Sequence, residues 1–122
     1  MNAFDNLGTI VPVRIWDGVV ARVWSGENAA LAAIELAPNS HVPEHSHENE
    51  QTGILLRGRL TFRIGDESQE LEPGATWVVP SLAPHEVLVG PDGALLVELF
   101  APPRSDWAGL PELDPSPVDG FR

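Results

Sequence analysis

Turn-forming residues divide this chain into short apolar segments, and this division limits the folds available to it. Glycine and proline number 11 and 12 among its 122 residues. Asp-Gly and Pro-Gly pairs favour tight turns, because glycine reaches positive φ angles and proline fixes its own φ. Such signals stand at Asp17-Gly18, Pro38-Asn39, Arg57-Gly58, Gly65-Asp66, Pro73-Gly74 and Pro91-Asp92-Gly93. Around Leu60, Phe62 and Ile64, apolar and polar residues alternate with the period of a half-buried strand. The pattern predicts an all-β protein.

We predict a succession of short strands and no amphipathic helix. They are Ile10–Trp16, Val19–Trp24, Ala29–Leu36, Gly53–Leu56, Leu60–Ile64, Ser68–Leu71, Trp77–Val79, Glu86–Val89 and Ala94–Phe100. Ala29–Leu36 has helix-forming composition, and Ser105–Leu110 is expected to form one helical turn with Ser105 as its cap. Because no linker interrupts the chain, residues 1–122 are interpreted as one domain. The acidic, proline-rich segment 111–122 is expected to be a loose C-terminal arm.

The composition excludes several classes of partner and chemistry. The formal net charge is −11, with 18 acidic residues against seven arginines and no lysine. Such an acidic surface repels phosphate backbones, so we expect no nucleic-acid partner. Without cysteine or lysine, the chain can form no disulfide, thiolate metal site or Schiff base. No segment has the apolar length that spans a bilayer, and no signal-like region stands at the N-terminus. We therefore expect a cytoplasmic protein without a membrane partner.

Three of the four histidines and one glutamine have spacings that suit a metal site. His45 and His47 are two residues apart, Gln51 follows, and His85 stands in a separate proline-framed segment. Side chains two residues apart on a strand point to the same side, so His45 and His47 can share one ion. Neutral imidazoles suit zinc, copper, iron and nickel, and an amide oxygen can complete the set. The alternative is that His45 and His47 are ordinary polar residues on a half-exposed strand. The second histidine segment, around His85, makes this alternative less favourable.

The same residues resemble the two sequence motifs of the cupins, a family of small metal-binding β-barrel proteins. The first motif is Gly, five residues, His-x-His, three or four residues, Glu, six residues and Gly. Its positions here are Asn39, His45, His47, Gln51 and Gly58. The second motif is Gly, five residues, Pro-x-Gly, two residues, His, three residues and Asn. Its positions here are Gly74, Pro80, Leu82, His85 and Val89. Four positions depart from the motifs, and of these Asn39 tolerates a positive φ better than most residues.

The resemblance implies a cupin double-stranded β-helix, that is, a jelly-roll barrel, over about Val19–Arg104. It also implies one divalent transition metal ion, Zn, Fe, Mn or Ni, held inside the barrel. The ligands that it implies are His45, His47, Gln51 and His85. Small cupins often carry a Glu-Gln pair whose glutamine binds the metal, so we expect Gln51 to point inward and Glu50 outward. Cupins of this size resemble homodimers more often than monomers, and Leu95, Val97 and Leu99 are expected to offer surface to a partner chain.

Glu98 interrupts an apolar run from Ala94 to Ala101. By the period of a strand, Glu98 shares one face with Leu96 and Phe100. A buried carboxylate is costly unless it is paired, hydrogen-bonded or close to a metal. Inside the barrel it would be a candidate general acid/base, because burial raises and a cation lowers its pKa. The alternative is an outward carboxylate that meets solvent or an arginine.

The late segment of the chain resembles small cupins that ketonise 4,5-unsaturated uronates from pectin and alginate breakdown. Those enzymes carry an acid, one residue, Phe, three residues and Arg. The matching positions here are Glu98, Phe100 and Arg104, although the acid of the family is Asp. The resemblance implies a metal-dependent isomerase or lyase of carbohydrate metabolism whose substrate is a small anionic sugar. Glu98 would move the proton, Arg104 would bind the substrate carboxylate, and Phe100 would form a wall.

Two other functions stay open at this point. One is a different cupin enzyme, such as a dioxygenase or a polyketide cyclase, and the other is a cupin that binds a small molecule without catalysis. Ordinary roles are open for single residues as well, since Phe100 could be core and Arg104 could be an exposed surface residue. His41 is expected at the surface, and Trp16, Trp24 and Trp77 are expected in the core or at a dimer contact.

Overall fold

Eight antiparallel strands make up nearly all of the regular structure in the computed structural model, which describes residues 3–114. A short 3-10 helix, Leu7–Thr9, precedes them, and the side chain of Asn6 caps it. The strands are β1 Val13–Trp16, β2 Val19–Ser25, β3 Ala30–Leu36, β4 His41–His45, β5 Glu50–Ile64, β6 Glu67–Leu71, β7 Thr76–Val79 and β8 His85–Ala101. The all-β prediction is confirmed. Among the described residues, no helix has the length and apolarity needed to cross a membrane.

The strands form a sheet in the order β1-β2-β3-β8-β5-β6, with β4 beside β8 and β7 beside β5. The two longest strands, β5 and β8, pair along their whole length, from Glu50↔Ala101 to Ile64↔His85. The first half of β8 also pairs with β4 and its second half with β3. Likewise, β7 and β6 pair with the two halves of β5. This sharing bends the sheet into a barrel, as the resemblance to the cupins implies.

The sequence pattern predicts two short strands in place of each of these long strands, and this division is wrong. Its turn signals at Arg57-Gly58 and Pro91-Asp92-Gly93 lie inside continuous strands, where the register shifts. Gly58 has a φ of 86°, and a Cβ atom there would overlap the carbonyl oxygen of Gly93. The glycine therefore permits a close crossing of β5 and β8, and marks a bulge rather than the end of a strand.

The core lies between the inward faces of the strands, where apolar residues alternate with outward ones as predicted for β5. Leu60 and Phe62 are buried, while Thr61 and Arg63 between them are half-buried. Each fully buried residue of this size stabilises the fold by about 1.5–3 kcal/mol. β3 is confirmed as a strand in spite of its helix-forming composition, because it is a central strand between β2 and β8. Tertiary pairing here overrides the local propensity.

One predicted surface residue and one predicted helical turn differ from the structure. Leu95, which we expected to offer surface to a partner, is fully buried within the single chain, while Val97 and Leu99 are half-buried. Ser105–Leu110 contains turns and no helix. The first part of the predicted arm pairs with β1, through hydrogen bonds from Arg14 N–H to Pro111 O and from Leu113 N–H to Pro12 O. The rest of the arm, 115–122, lies outside the described residues.

Candidate metal centre

A narrow cavity lies inside the barrel, and His45, Gln51, His85 and Glu98 are part of its lining. Most of its wall is apolar and includes Ile34, Val42, Phe62, Val87, Leu96 and Phe100. The free volume is about 40 Å³, little more than the ~30 Å³ that one water molecule occupies in the liquid. A larger, open hollow of about 700 Å³ lies between β5, β6 and β8, but no histidine lines it. The small interior cavity is therefore the one whose lining includes side chains that can bind a metal or transfer a proton.

His45, His47 and His85 converge on one point, and His45 and His85 line this cavity. Their candidate ligand atoms all lie within 4.8 Å of one another. The ring centroids of His45 and His85 are 4.1 Å apart, and those of His47 and His85 are 4.9 Å apart. His45 ends β4 and His85 begins β8, whereas His47 lies in the loop after β4. The two rings meet, as expected from the sequence. The expected reason is wrong, because His45 and His47 do not lie on one strand.

Each of the three imidazoles is held by a backbone carbonyl. The Nδ1 atom of His45 lies 2.8 Å from Pro43 O, that of His47 lies 3.0 Å from Asn49 O, and that of His85 lies 2.9 Å from Ala83 O. A carbonyl oxygen only accepts hydrogen bonds, so Nδ1 carries the proton in each neutral ring. The lone pair is then on Nε2, which is the state in which histidine binds a metal while a second partner orients its ring.

Burial keeps the three rings neutral. Loss of solvation lowers the pKa of His45 and of His47 below its usual range and lowers that of His85 to about 4. The neighbouring rings and the charge of Arg104 add to the effect on His85. His85 is only 2% exposed, and its Nε2 atom makes no hydrogen bond with any described residue. A buried lone pair in this position suits a metal ion, because metal coordination would satisfy it.

Gln51 completes the group and faces inward, whereas Glu50 is exposed. The side-chain amide of Gln51 donates to the carboxylate of Glu98, and this bond directs Oε1 towards Nε2 of His47 at 3.0 Å. Both of these atoms carry lone pairs when His47 is neutral, so they repel each other unless a cation or a proton lies between them. The donor set of three imidazoles and one amide oxygen thus fits a divalent transition metal.

Glu98 is buried beside this group, with 6% of its surface exposed. Its Oε2 atom accepts hydrogen bonds from the Gln51 amide and from the Trp77 indole N–H, the latter at 2.8 Å. Burial raises the pKa of Glu98 to about 7, although these two donors and Arg104 pull it down. Oε1 makes no hydrogen bond with a described residue. The carboxyl group can therefore both hold and release a proton near neutral pH.

Arg104 and Phe100 also line the cavity. Phe100 is buried in the core, and the Arg104 guanidinium lies 5.3 Å from the centre of its ring. The predicted carboxylate-binding edge of Arg104 is engaged by Asp106, with Nε–Oδ1 at 2.7 Å and an Nη–Oδ2 distance of 2.6 Å. The ring of Trp107 stacks over the same guanidinium at 4.6 Å.

Sequence reasoning missed three contributors to this site. The indole of Trp77 holds Glu98, and it does so because it crosses Gly53, where a Cβ atom would come within 2.7 Å of the ring. Asp106 and Trp107 lie in an irregular turn, where no periodic pattern marks a residue as inward. By contrast, His41 is exposed as expected and pairs with Glu86 at 2.6 Å on the outer surface.

Comparison with known proteins agrees with this architecture. A family model described as a cupin domain matches residues 32–99, and no curated protein matches the sequence. The structure of KdgF from a Halomonas species is similar, with a TM-score of 0.72 and 21% identity over 78% of this chain and 88% of that chain. An RmlC-like cupin from Shewanella frigidimarina has a TM-score of 0.81 and 18% identity over 88% and 97%.

A third similar structure is the oxalate decarboxylase of Bacillus subtilis, a protein with Mn(II) centres. Its TM-score is 0.70 at 21% identity, over 84% of this chain and 31% of that chain. Identities this low establish the common fold and nothing about substrates. The family model, however, covers more than half of the sequence, and it includes all three converging histidines. The chain therefore belongs to the cupin family.

Proposed function

We propose that this cupin is an enzyme that opens and ketonises a 4,5-unsaturated uronate. The observation that carries the proposal is Glu98, a buried carboxyl group that lines the same cavity as His45 and His85. Without a metal ion, burial raises its pKa to about 7, so both protonation states are populated near neutral pH, which suits a general acid/base. Arg104 in the cavity wall supplies a planar cationic group, of the kind that binds carboxylates in two-point fashion.

The chemistry needs the net movement of one proton from a hydroxyl group to a carbon atom. The proton leaves the anomeric hydroxyl as the bond between C1 and the ring oxygen breaks, and C4 receives it. The products are an aldehyde at C1 and a ketone at C5, so substrate and product are isomers and no other reactant is consumed. Glu98 would accept and return this proton. A metal held by His45, His47, His85 and Gln51 would supply Lewis acidity that lowers the pKa of the hydroxyl.

The neutral state of the histidines and the hydrogen bonds of Glu98 would keep the site ready for this reaction. Gln51 and Trp77 both donate to Oε2 of Glu98, which fixes the carboxyl group and leaves Oε1 for proton exchange. Phe100, packed under the Arg104 guanidinium, would support the arginine rather than contact the sugar. The apolar wall would exclude water from the reacting atoms.

The change Glu98→Gln tests this proposal. The amide preserves size and can still accept a hydrogen bond from Trp77, but it cannot carry the proton. We expect turnover of a 4,5-unsaturated uronate to fall about 100-fold or more, with metal content close to that of the parent and a melting temperature no lower than that of the parent. The assay follows the ultraviolet absorbance of the conjugated double bond, with zinc, iron, manganese and nickel supplied in turn.

The matched control is Glu70→Gln, an exposed carboxylate on β6, and it should leave turnover unchanged. Equal turnover by Glu98→Gln and the parent would rule out Glu98 as the acid/base. If the parent protein converts no unsaturated uronate with any of these metals, the substrate class is wrong.

We also propose that the chain forms a homodimer through the outer face of β2, β3, β8, β5 and β7. One cross-strand row on this face is largely apolar and consists of Trp24, Leu31, Leu99, Thr52 and Val78. Val78 is 59% exposed and Ile54 beside it is 36% exposed. Apolar surface of this kind marks association sites. The mass measured by sedimentation velocity tests the proposal, and a monomer at micromolar concentration would contradict it.

A further inference from the structure

The guanidinium of Arg104 is already occupied by a carboxylate of its own chain. Asp106 engages Nε and one Nη atom at 2.7 and 2.6 Å, which is the two-point geometry that a ligand carboxylate would use. The side chain of Arg104 is only 6% exposed, whereas that of Asp106 is 60% exposed. The arginine is therefore buried in place, and the carboxylate that occupies it lies at the surface.

Arg104 is fixed by aromatic rings as well as by this ion pair. Its guanidinium lies 5.3 Å from the ring centre of Phe100 and 4.6 Å from that of Trp107. The rings of Phe100 and Trp107 meet edge to face at 5.0 Å. Because Phe100 belongs to β8 and is buried, the arginine keeps one firm support if Trp107 moves. Of the three residues that contact the guanidinium, only Asp106 and Trp107 belong to the turn that follows.

The same turn forms part of the cavity wall. Trp107 and Arg104 are part of its lining, and the free volume behind them is about 40 Å³. Small-molecule sites usually offer roughly 300 Å³ or more, so a sugar-sized ligand cannot enter until part of the wall moves. The turn is a suitable part, because its own backbone hydrogen bonds are long. Ala108 N–H to Ser105 O measures 3.2 Å, and Leu110 N–H to Trp107 O measures 3.4 Å.

We infer that Asp106 occupies the subsite of the ligand carboxylate on Arg104, and that an anionic ligand displaces it and thereby moves Trp107 away from the cavity. The inference rests on the proposed function only in taking the ligand to be a small carboxylated molecule. An exposed carboxylate gives little net stability to an ion pair, because water screens it, so a ligand anion can compete with it. A neutral sugar cannot replace Asp106 and leaves the turn closed. Asp106 would thus be a specificity-determining residue that selects for negative charge.

The change Asp106→Asn tests the inference with D-glucuronate as a stable uronate and D-glucose as its neutral counterpart. The amide has the size of the carboxylate but releases the charged edge of Arg104. We expect the Kd for glucuronate to fall about two- to fivefold, the range that corresponds to exposed ion pairs, and glucose to show no measurable binding to the parent protein. Calorimetry measures both affinities, and the matched control Asp92→Asn changes an exposed aspartate in the bend of β8.

Hydrogen exchange at the amides of Ala108 and Leu110 supplies a second readout. Exchange there should accelerate in Asp106→Asn without ligand, and in the parent protein with glucuronate but not with glucose. The change Arg104→Gln should abolish the preference for glucuronate over glucose. If glucuronate binding persists in Arg104→Gln, the anion binds elsewhere, for instance at the metal, and the inference is overturned.

Three other outcomes would overturn the inference. Equal or weaker glucuronate binding by Asp106→Asn would make Asp106 a support that positions Arg104 rather than a competitor. Glucuronate that binds without faster exchange at Ala108 and Leu110 would show that the turn stays closed. Absence of glucuronate binding by both the parent and Asp106→Asn would show that Arg104 does not form an anion subsite. Failure of the proposed function alone is a different result, namely charge-selective binding with no turnover of unsaturated uronates.

Discussion

At the scale of single residues, the candidate metal centre depends most on His85. It is the most buried of the three histidines, and its Nε2 lone pair has no partner among the described residues. We predict that His85→Ala binds zinc or manganese about 100-fold or more weakly than the parent, because the ion loses one of four donors. Metal stabilises the folded state by mass action, so the rise in Tm on adding metal should disappear in this variant.

The matched control for that prediction is His41→Ala, since His41 is exposed and pairs with Glu86 outside the barrel. It should keep the full rise in Tm with metal. If His85→Ala and His41→Ala respond alike, the ion binds elsewhere and the three-histidine site is wrong.

The sequence predicted the meeting of the histidines because two motif segments with fixed spacings carry them. It did not predict which atoms would hold them. The Nδ1 partners are the carbonyls of Pro43, Asn49 and Ala83, and any residue type supplies a carbonyl. The pair formed by Asp106 and Arg104 was likewise invisible, because a contact two residues apart in an irregular turn has no helical or strand period.

At the scale of elements, the loop between β7 and β8 places a residue other than glycine in a left-handed backbone conformation that favours glycine. Leu82 stands at a glycine position of the second motif, and its φ is 67°. Its N–H donates to His47 O at 2.8 Å, so this strained residue also anchors the loop that carries His47. A left-handed conformation costs a non-glycine residue about 1–2 kcal/mol, whereas glycine in the unfolded chain costs about 0.5–1 kcal/mol in entropy.

We therefore predict that Leu82→Gly raises the free energy of unfolding by about 0.5–1 kcal/mol. Leu82 is 63% exposed, so the loss of its side chain removes little buried surface. Urea unfolding measures the change. Leu88→Gly is the control, because Leu88 is similarly exposed, at 52%, but lies within β8 and should lose stability. Lower stability of Leu82→Gly would mean that the side chain contributes more than the backbone strain costs.

The strand pattern of the sequence predicted most elements, and the failures share one physical cause. Glycine and proline favour a change in backbone direction, but they do not say whether the chain reverses or only bends. At Asp17-Gly18 the chain reverses between β1 and β2, whereas at Gly58 it continues through a bulge in β5. Which of the two occurs depends on the strand that lies alongside, and that information is nonlocal.

At the scale of the whole molecule, the buried site makes stability depend on pH in two opposing ways when no metal is bound. The lowered pKa of His85 means that its contribution to stability is fully present above pH 6.5 and is lost as the pH falls towards about 4. The raised pKa of Glu98 has the opposite sign. Its contribution is fully present below pH 4.5 and is lost as the pH rises to about 7.

Between about pH 4.5 and 6.5 the two contributions oppose each other. Replacement of Glu98 should therefore leave the contribution of His85 unopposed. We predict that the stability of metal-free Glu98→Gln, relative to the parent, increases by about 1 kcal/mol per pH unit as the pH rises through this window. Other titrating groups, such as Glu86 and Asp106, are common to both proteins and cancel in the difference. Urea unfolding in the presence of a chelator at several pH values measures it, with Glu70→Gln as the control. Parallel curves for Glu98→Gln and the parent would mean that Glu98 titrates equally in the folded and unfolded chains, and the barrel would then not desolvate it.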